Sequence, residues 1–154
     1  MLLLYPIIAD QMKGAVQFSD EECCGFLFGV EEDGVRTITA LMSAKNVSLF
    51  NRRSTFEISA EDYMDAESFA VQNRLKLLGI YHSHLGFPAT PSEYDRVAAQ
   101  PYFSYVILSV VENEVEAMKS WTLNDEFKFE EENISIININ QQIHGYRNHS
   151  NSAA

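Results

Sequence analysis

Two histidines separated by one residue, and an aspartate that follows them, have side chains that could bind a metal. His82 and His84 stand two positions apart, and Asp95 comes eleven residues after the second histidine. Imidazole nitrogens and a carboxylate are usual ligands of divalent metals. Because side chains alternate along a strand, a strand that ends at Tyr81 would bring both imidazoles to one side of the chain. Three protein ligands leave one position of a tetrahedral zinc ion open for water, so the pattern predicts a catalytic metal site.

A hydrolytic metal centre also needs a base and a donor for the oxyanion. Ser92 lies three residues before Asp95, so the two share a face of a helical turn. The Ser92 hydroxyl could therefore reach the metal pocket, and it could equally cap the helix. The base must come from elsewhere in the chain. Glu21 and Glu22 directly precede an apolar run, and either could stand near the histidines at the edge of a sheet.

Hydrophobic periodicity and turn signals predict the elements that position these residues. Helices are predicted over residues 6–18, 60–73 and a short stretch from 91 that ends before 101; strands are predicted over 23–30, 35–42, 75–81, 102–111 and 115–123. Further short strands are predicted at 55–58, 127–129 and 134–139, with loops over 44–53 and 84–91, and Glu130–Glu132 as a solvated turn. This order predicts an α/β layered domain, in which helices pack against a mixed sheet.

Composition limits the classes of protein that the chain can belong to. Its 154 residues suit one domain, predicted over 1–140, followed by a polar, disordered tail over 141–154. Acidic residues outnumber basic ones by 22 to 11, which disfavours binding to nucleic acid or anionic membranes. The apolar start is too short to span a membrane. Because the only cysteines are the adjacent Cys23 and Cys24, we expect small core residues and a reducing, cytoplasmic location.

The spacing of these residues resembles the JAMM motif of the JAB/MPN metalloproteases. That motif has an upstream glutamate, then His-x-His, seven residues, serine, two residues and aspartate. His82, His84, Ser92 and Asp95 match it in order. In the family, the glutamate lies three residues before a glycine that opens an apolar strand, which selects Glu22 over Glu21. The resemblance extends from about residue 9 to residue 123.

The resemblance implies a fold and a role for each matching residue. The fold would be the family's cytidine-deaminase-like layered sheet. His82, His84 and Asp95 would bind one Zn²⁺ ion, and Glu22 would act as general base and then as proton donor. Ser92 would stabilise the oxyanion while a peptide or isopeptide bond is hydrolysed.

The chain departs from the family pattern at one position. Leu85 stands where bacterial members commonly have proline, which loosens the loop but removes no ligand. The short turn at Asn113 leaves no room for the long insertion of eukaryotic deubiquitinating members, which indicates a compact, bacterial-type member of the family. The resemblance then implies a partner: a ubiquitin-like or sulfur-carrier protein of the ThiS/MoaD type with a C-terminal Gly-Gly tail. Arg52 and Arg53 are predicted to lie where that tail adds as a strand.

Two other classes of function remain open on the sequence. A non-catalytic MPN-type scaffold that binds partners would have the same fold, although such scaffolds usually lack one or more of the motif residues. A small-molecule metal hydrolase or oxygenase could use the same types of ligand. Facial-triad oxygenases usually have His-x-Asp/Glu with a distant histidine, which does not fit the order found here.

Overall fold

The computed structural model describes residues 1–138, which form eight strands and three helices. In chain order these are β1 (Leu2–Leu4), α1 (Pro6–Val16), β2 (Cys24–Glu32), β3 (Val35–Ala44), α2 (Ala60–Gln72), β4 (Lys76–Leu85), α3 (Glu93–Ala98), β5 (Ser104–Val111), β6 (Glu114–Leu123), β7 (Phe129–Glu132) and β8 (Ile134–Ile136). The tail predicted over 141–154 lies outside the described residues. None of the helices within 1–138 has both the length and the hydropathy that a membrane span requires.

The strands form one mixed sheet in the order β7-β6-β5-β4-β2-β3-β1-β8. β4 pairs in parallel with β5, and β1 pairs in parallel with β3 and β8, whereas the remaining pairs are antiparallel. The two outermost strands, β7 and β8, are joined by Asn133 alone, and its carbonyl accepts a hydrogen bond from the Leu2 amide at 2.9 Å. The sheet therefore curls until its two ends lie close together, as in a barrel.

Helices cover the two faces of the sheet. Alternate residues of β2 point to opposite faces: Leu27 packs in the same cluster as Ile8 and Met12 of α1, whereas Phe26 packs in a second cluster with Ala66 of α2. Because β2 is buried on both faces from Cys24 to Gly29, this part of its sequence is continuously apolar rather than alternating. The predicted mixed α/β architecture, a sheet flanked by helices, is confirmed.

Two strand predictions that bear on the candidate site were wrong. β4 continues through both histidines to Leu85 instead of ending at Tyr81, because β2 pairs with it as far as His82 and β5 pairs with it as far as Leu85. The loop after the histidines therefore begins at Gly86. Residues 55–58 form no strand; the Asn46 side chain bonds the carbonyl of Thr55 and the amide of Glu57, where a neighbouring strand would otherwise be.

The acidic run near the end of the described chain is not a solvated turn. Glu130, Glu131 and Glu132 lie in β7, which begins at Phe129, the last residue of the strand predicted at 127–129. The Glu132 carboxylate accepts hydrogen bonds from Ser104 at 2.8 Å and Ser120 at 2.9 Å. The sequence prediction also missed β1, since three apolar residues carry no periodicity. The last predicted strand is present as β8, over Ile134–Ile136.

Candidate metal centre

β4 holds both histidines on one face of the sheet. His82 lies between Cys24 of β2 and Ile107 of β5, and His84 lies beside Ser109 of β5. Both rings are buried, with 1% and 5% exposure. His82 is therefore fixed by strand pairing on both sides and His84 by pairing with β5, which gives a more rigid site than a loop after the strand would.

Ser83, between the two histidines, points the other way and fixes the register of the strand. Its buried hydroxyl accepts a hydrogen bond from the Cys23 amide at 2.8 Å, and its own amide donates to the Cys23 carbonyl at 3.0 Å. The predicted packing roles of the cysteines fit this picture. Cys24 is buried, and Cys23 is half-buried against the core cluster that contains Leu27.

Helix α3 positions the carboxylate through its N-terminal cap. Ser92 accepts a hydrogen bond from the Asp95 amide at 3.0 Å, and Asp95 Oδ2 accepts one from the Ser92 amide at 2.9 Å. This reciprocal arrangement is a capping box. Asp95 is buried although it sits on a short surface helix, and its Oδ2 atom faces both histidines. The predicted N-cap role of Ser92 is thus confirmed, and its hydroxyl proton remains available to another acceptor.

Three ligand atoms form a nearly equilateral triangle. The Nε2 atoms of His82 and His84 are 3.2 Å apart, and Asp95 Oδ2 lies 3.3 Å and 3.2 Å from them. Atoms bound about 2.0 Å from a tetrahedral zinc ion would stand about 3.3 Å from one another. Neighbouring ligands of an octahedral magnesium ion would be closer, at about 2.9 Å. The spacing of the donor atoms therefore fits tetrahedral zinc.

The tautomer of His84 also suits a metal ligand. Its Nδ1 lies 2.7 Å from the carbonyl oxygen of Pro88, which can only accept, so Nδ1 must donate. In the neutral ring this leaves the Nε2 lone pair directed toward the triangle, as in metal sites where a carbonyl orients the ligating histidine.

The Phe56 ring stacks on His82, with centroids 4.4 Å apart and an interplanar angle of 27°. His82 Nδ1 is buried and has no hydrogen-bond partner among the described residues.

The electrostatics of the cluster favour an ionised Asp95. Burial alone would raise the pKa of Asp95, but the two imidazoles and the Ser92 amide outweigh it and hold the pKa well below its usual range. Burial alone would lower the pKa of His84; its hydrogen bonds to Asp95 and to the Pro88 carbonyl raise it instead. A carboxylate that stays ionised in a buried site is what a divalent cation requires of its ligand.

Glu22 lies beside the triangle just before β2. Its side chain is buried, with 4% exposure, and Oε2 has no hydrogen-bond partner within residues 1–138. Burial raises the pKa of Glu22 to about 8, an effect that positive charge on His84 opposes and the Asp95 carboxylate reinforces. A buried carboxyl group with a raised pKa and a free oxygen is a good candidate for an acid–base catalyst.

A cavity of about 340 Å³ connects the general-base candidate to the metal cluster. Its lining consists of Glu22, Ser54, His84, Phe87, Pro88, Thr90, Pro91 and Ser92. Glu21 is absent from this lining: it is exposed, and its carboxylate lies 3.8 Å from the guanidinium of Arg52. The choice between the two glutamates, which chain position alone left open, therefore falls on Glu22 by geometry.

Gly25 lies where the Tyr81 ring of β4 and the backbone of β3 approach β2 closely. A Cβ atom there would lie 2.5 Å from the Met42 carbonyl oxygen and 2.5 Å from the Tyr81 ring. Only glycine lets Tyr81 approach the backbone of β2 so closely. Since Tyr81 directly precedes His82, this contact helps to fix the distance between the start of β2 and the histidines.

The structure does not bring the two arginines into the cavity. The Arg52 side chain donates to the Ser48 carbonyl at 3.0 Å and faces Glu21. Arg52 and Arg53 instead line a neighbouring surface depression of about 600 Å³, together with Leu49 and Phe50. Their role in substrate binding stays a prediction.

Sequence reasoning missed Phe56 and Pro88. Phe56 acts by stacking on His82 and Pro88 by its backbone carbonyl, and neither contact leaves a recognisable pattern in the sequence.

Comparison with known proteins agrees with the fold. A family model described as prokaryotic homologs of the JAB domain matches residues 6–124. The chain is 30% identical over 121 residues to a desampylase from Pyrococcus furiosus, an alignment that covers 79% of this chain and 80% of that protein. A solution structure of a protein from Desulfitobacterium hafniense superposes with a TM-score of 0.77 at 25% identity, covering 89% of this chain and 93% of that one. A second, from Salinibacter ruber, gives a TM-score of 0.68 at 37% identity and covers 88% and 92%. The chain belongs to the prokaryotic JAB family.

Proposed function

We propose that this protein is a zinc-dependent peptidase or isopeptidase of the JAMM type. The observation that carries the proposal is the triangle of donor atoms, with sides of 3.2–3.3 Å, beside a buried carboxyl group that shares a cavity with it. Ligands, acid–base group and substrate space thus occur together. The similarity to a desampylase supports hydrolysis as the reaction class.

His82, His84 and Asp95 would hold the zinc ion. When bound, zinc supplies Lewis acidity and makes water a stronger acid. Glu22 then takes a proton from the attacking water as its oxygen bonds to the scissile carbonyl carbon. The same carboxyl group passes the proton to the leaving nitrogen as the C–N bond breaks. Burial raises the pKa of Glu22 in the zinc-free chain, and the positive charge of bound zinc would lower it again, so that the carboxylate could accept a proton near neutral pH.

Ser92 would stabilise the oxyanion that forms on the carbonyl oxygen. Its oxygen already accepts the Asp95 amide, so its own hydroxyl proton can point into the cavity that it lines. The same serine would therefore cap the N-terminus of the helix that carries Asp95 and serve the reaction. This double use explains why the serine and the aspartate are three residues apart.

The substrate class follows from the family resemblance. We expect a ubiquitin-like or sulfur-carrier protein whose C-terminal Gly-Gly tail carries an appended residue, a peptide extension or an isopeptide-linked lysine. An extended tail could reach the cavity past the loop that carries Arg52 and Arg53. A cytoplasmic location remains a prediction from the cysteine content.

The proposal is tested by cleavage assays with three versions of the full-length chain. Purified wild type loaded with zinc is expected to cleave a ThiS/MoaD-like protein at the end of its Gly-Gly tail, in linear or isopeptide form. The variant Glu22→Gln should bind zinc equally well but cleave at least about 10²-fold more slowly. The double variant His82→Ala/His84→Ala should lose both properties. Zinc binding without cleavage of any such substrate would refute the substrate class, and loss of neither property in the double variant would refute the site.

A further inference from the structure

One buried side chain holds the loop between β3 and α2, which contacts both Glu22 and His82. Asn46 has 8% exposure and lies just after β3. Its Oδ1 accepts hydrogen bonds from the amides of Ser48 and Glu57, at 3.1 Å and 3.2 Å. Its amide nitrogen donates to the carbonyls of Glu22 at 3.0 Å and Thr55 at 2.9 Å, with a longer contact to Arg52 at 3.4 Å. Five backbone groups, one from Glu22 and four from the loop between β3 and α2, thus bond to one side chain.

Hydrogen bonds hold both the amide and the carbonyl group of the Glu22 backbone. Asn46 bonds the Glu22 carbonyl, and the Glu22 amide donates to the Arg52 carbonyl at 2.8 Å. Within residues 1–138, the Glu22 carboxylate has a buried oxygen without a hydrogen-bond partner. The side chain therefore owes its position to the backbone that carries it.

The same asparagine holds the two residues that flank Phe56. It bonds the Thr55 carbonyl on one side and the Glu57 amide on the other. The ring of Phe56 stacks on His82, whose Nδ1 has no hydrogen-bond partner among the described residues. Stacking by Phe56 is therefore a principal restraint on the orientation of that imidazole.

We infer that Asn46 is a positioning residue, which sets Glu22 and, through Phe56, the His82 ring in mutual register. This inference rests on the proposed function. Replacement of Asn46 leaves up to five backbone groups without their partner and releases the Glu22 backbone from one side. Misplacement of a catalytic group by about 1 Å can cost about 10²-fold in rate. The effect should fall on kcat rather than KM, because Asn46 lies beneath the loop and is absent from the cavity lining.

The test compares Asn46→Ala and Asn46→Asp with a matched control, Ser120→Ala. Asp has nearly the size of Asn and keeps an acceptor for Ser48 and Glu57, but as a carboxylate it cannot donate to Glu22. Ser120 is likewise fully buried and hydrogen-bonded, to Glu132, away from the metal cluster. Both Asn46 variants are expected to lower kcat about 10²-fold with KM within about threefold of wild type. The Ser120 variant should lose stability but keep kcat.

A second measurement detects opening of the loop and does not depend on catalysis. Amide hydrogen exchange at Glu22 and Glu57 is followed by NMR in the zinc-free full-length chain. Asn46→Asp should accelerate exchange at Glu22 by at least about tenfold and affect Glu57 less; Asn46→Ala should accelerate both. Unchanged exchange at Glu22 together with wild-type kcat would overturn the inference. If Asn46→Ala fails to fold, Asn46→Asp decides. If wild type cleaves no substrate, the proposed function fails, and exchange alone decides whether Asn46 holds Glu22.

Discussion

Replacement of Glu22 by glutamine should change how the stability of the zinc-free protein depends on pH. Burial raises the pKa of Glu22 in the folded chain to about 8, against an ordinary value of 4.5. Between these values the folded protein keeps the proton that the unfolded chain has lost. The free energy of unfolding must therefore fall as pH rises, by at most about 1.4 kcal/mol per pH unit for one proton.

The sign of the effect follows from the direction of the shift. The stabilising contribution of protonated Glu22 is fully present below pH about 4.5 and is lost as pH rises through about 8. Glutamine resembles the protonated carboxyl group and does not titrate. Wild type and Glu22→Gln should therefore have similar stabilities near pH 5, and the variant should become progressively the more stable of the two as pH approaches 8.

Urea unfolding at pH 5, 6, 7 and 8 in the presence of a chelator measures this difference. Fluorescence of Trp121, the single tryptophan, reports the transition. Glu21→Gln is the matched control, because it makes the same change in composition at the exposed neighbouring position. In this control variant, the free energy of unfolding should depend on pH as it does in wild type. A difference between wild type and Glu22→Gln that is constant over this pH range would refute the burial and proton-linkage argument.

Three further predictions concern individual side chains. Asp95→Asn keeps an acceptor for the Ser92 amide but loses the charge, so zinc binding should be abolished while the melting temperature of the zinc-free chain stays within a few degrees of wild type. Calorimetric titration with zinc and thermal unfolding measure the two properties, and tight zinc binding by the variant would contradict the prediction. Ser92→Ala should cost about 1 kcal/mol of stability from the lost cap and about 10²-fold or more in kcat from the lost oxyanion donor, with zinc content unchanged; a loss of stability alone would leave Ser92 as a cap only. Arg52→Ala/Arg53→Ala should raise KM for a carrier protein and leave cleavage of a short peptide unchanged; equal kinetics on both substrates would remove the arginines from substrate binding.

Local rules made the cluster of His82, His84 and Asp95 predictable from sequence. The period of two along a strand puts His82 and His84 on one face, whether the strand ends before them or, as found, continues through them. The three-residue spacing of a helix cap puts Ser92 and Asp95 together in the same way. Both signals lie within a few residues of chain, so errors in strand boundaries did not disturb them.

Contacts between distant segments could not be predicted in this way. Glu22 reaches the cluster because Cys24 pairs with His82 across two strands separated by more than fifty residues of sequence. The Asn46 side chain bonds backbone groups, and Pro88 acts through its own backbone carbonyl. An asparagine or a proline in a loop has many ordinary roles, so neither residue stands out in the sequence. β1 is stabilised by pairing with β3 and β8, and three residues hold too little pattern to indicate a strand.

The central claim is that His82, His84 and Asp95 form one zinc site, and zinc stoichiometry tests it most directly. Wild type and the double variant His82→Ala/His84→Ala are stripped with chelator, loaded with zinc and freed of excess metal, and their metal content is then measured by elemental analysis. We predict one zinc ion per chain in wild type and none in the double variant. Equal zinc content in the two proteins, or no zinc in well-folded wild type, would contradict the claim and leave a binding scaffold as the better account of this fold.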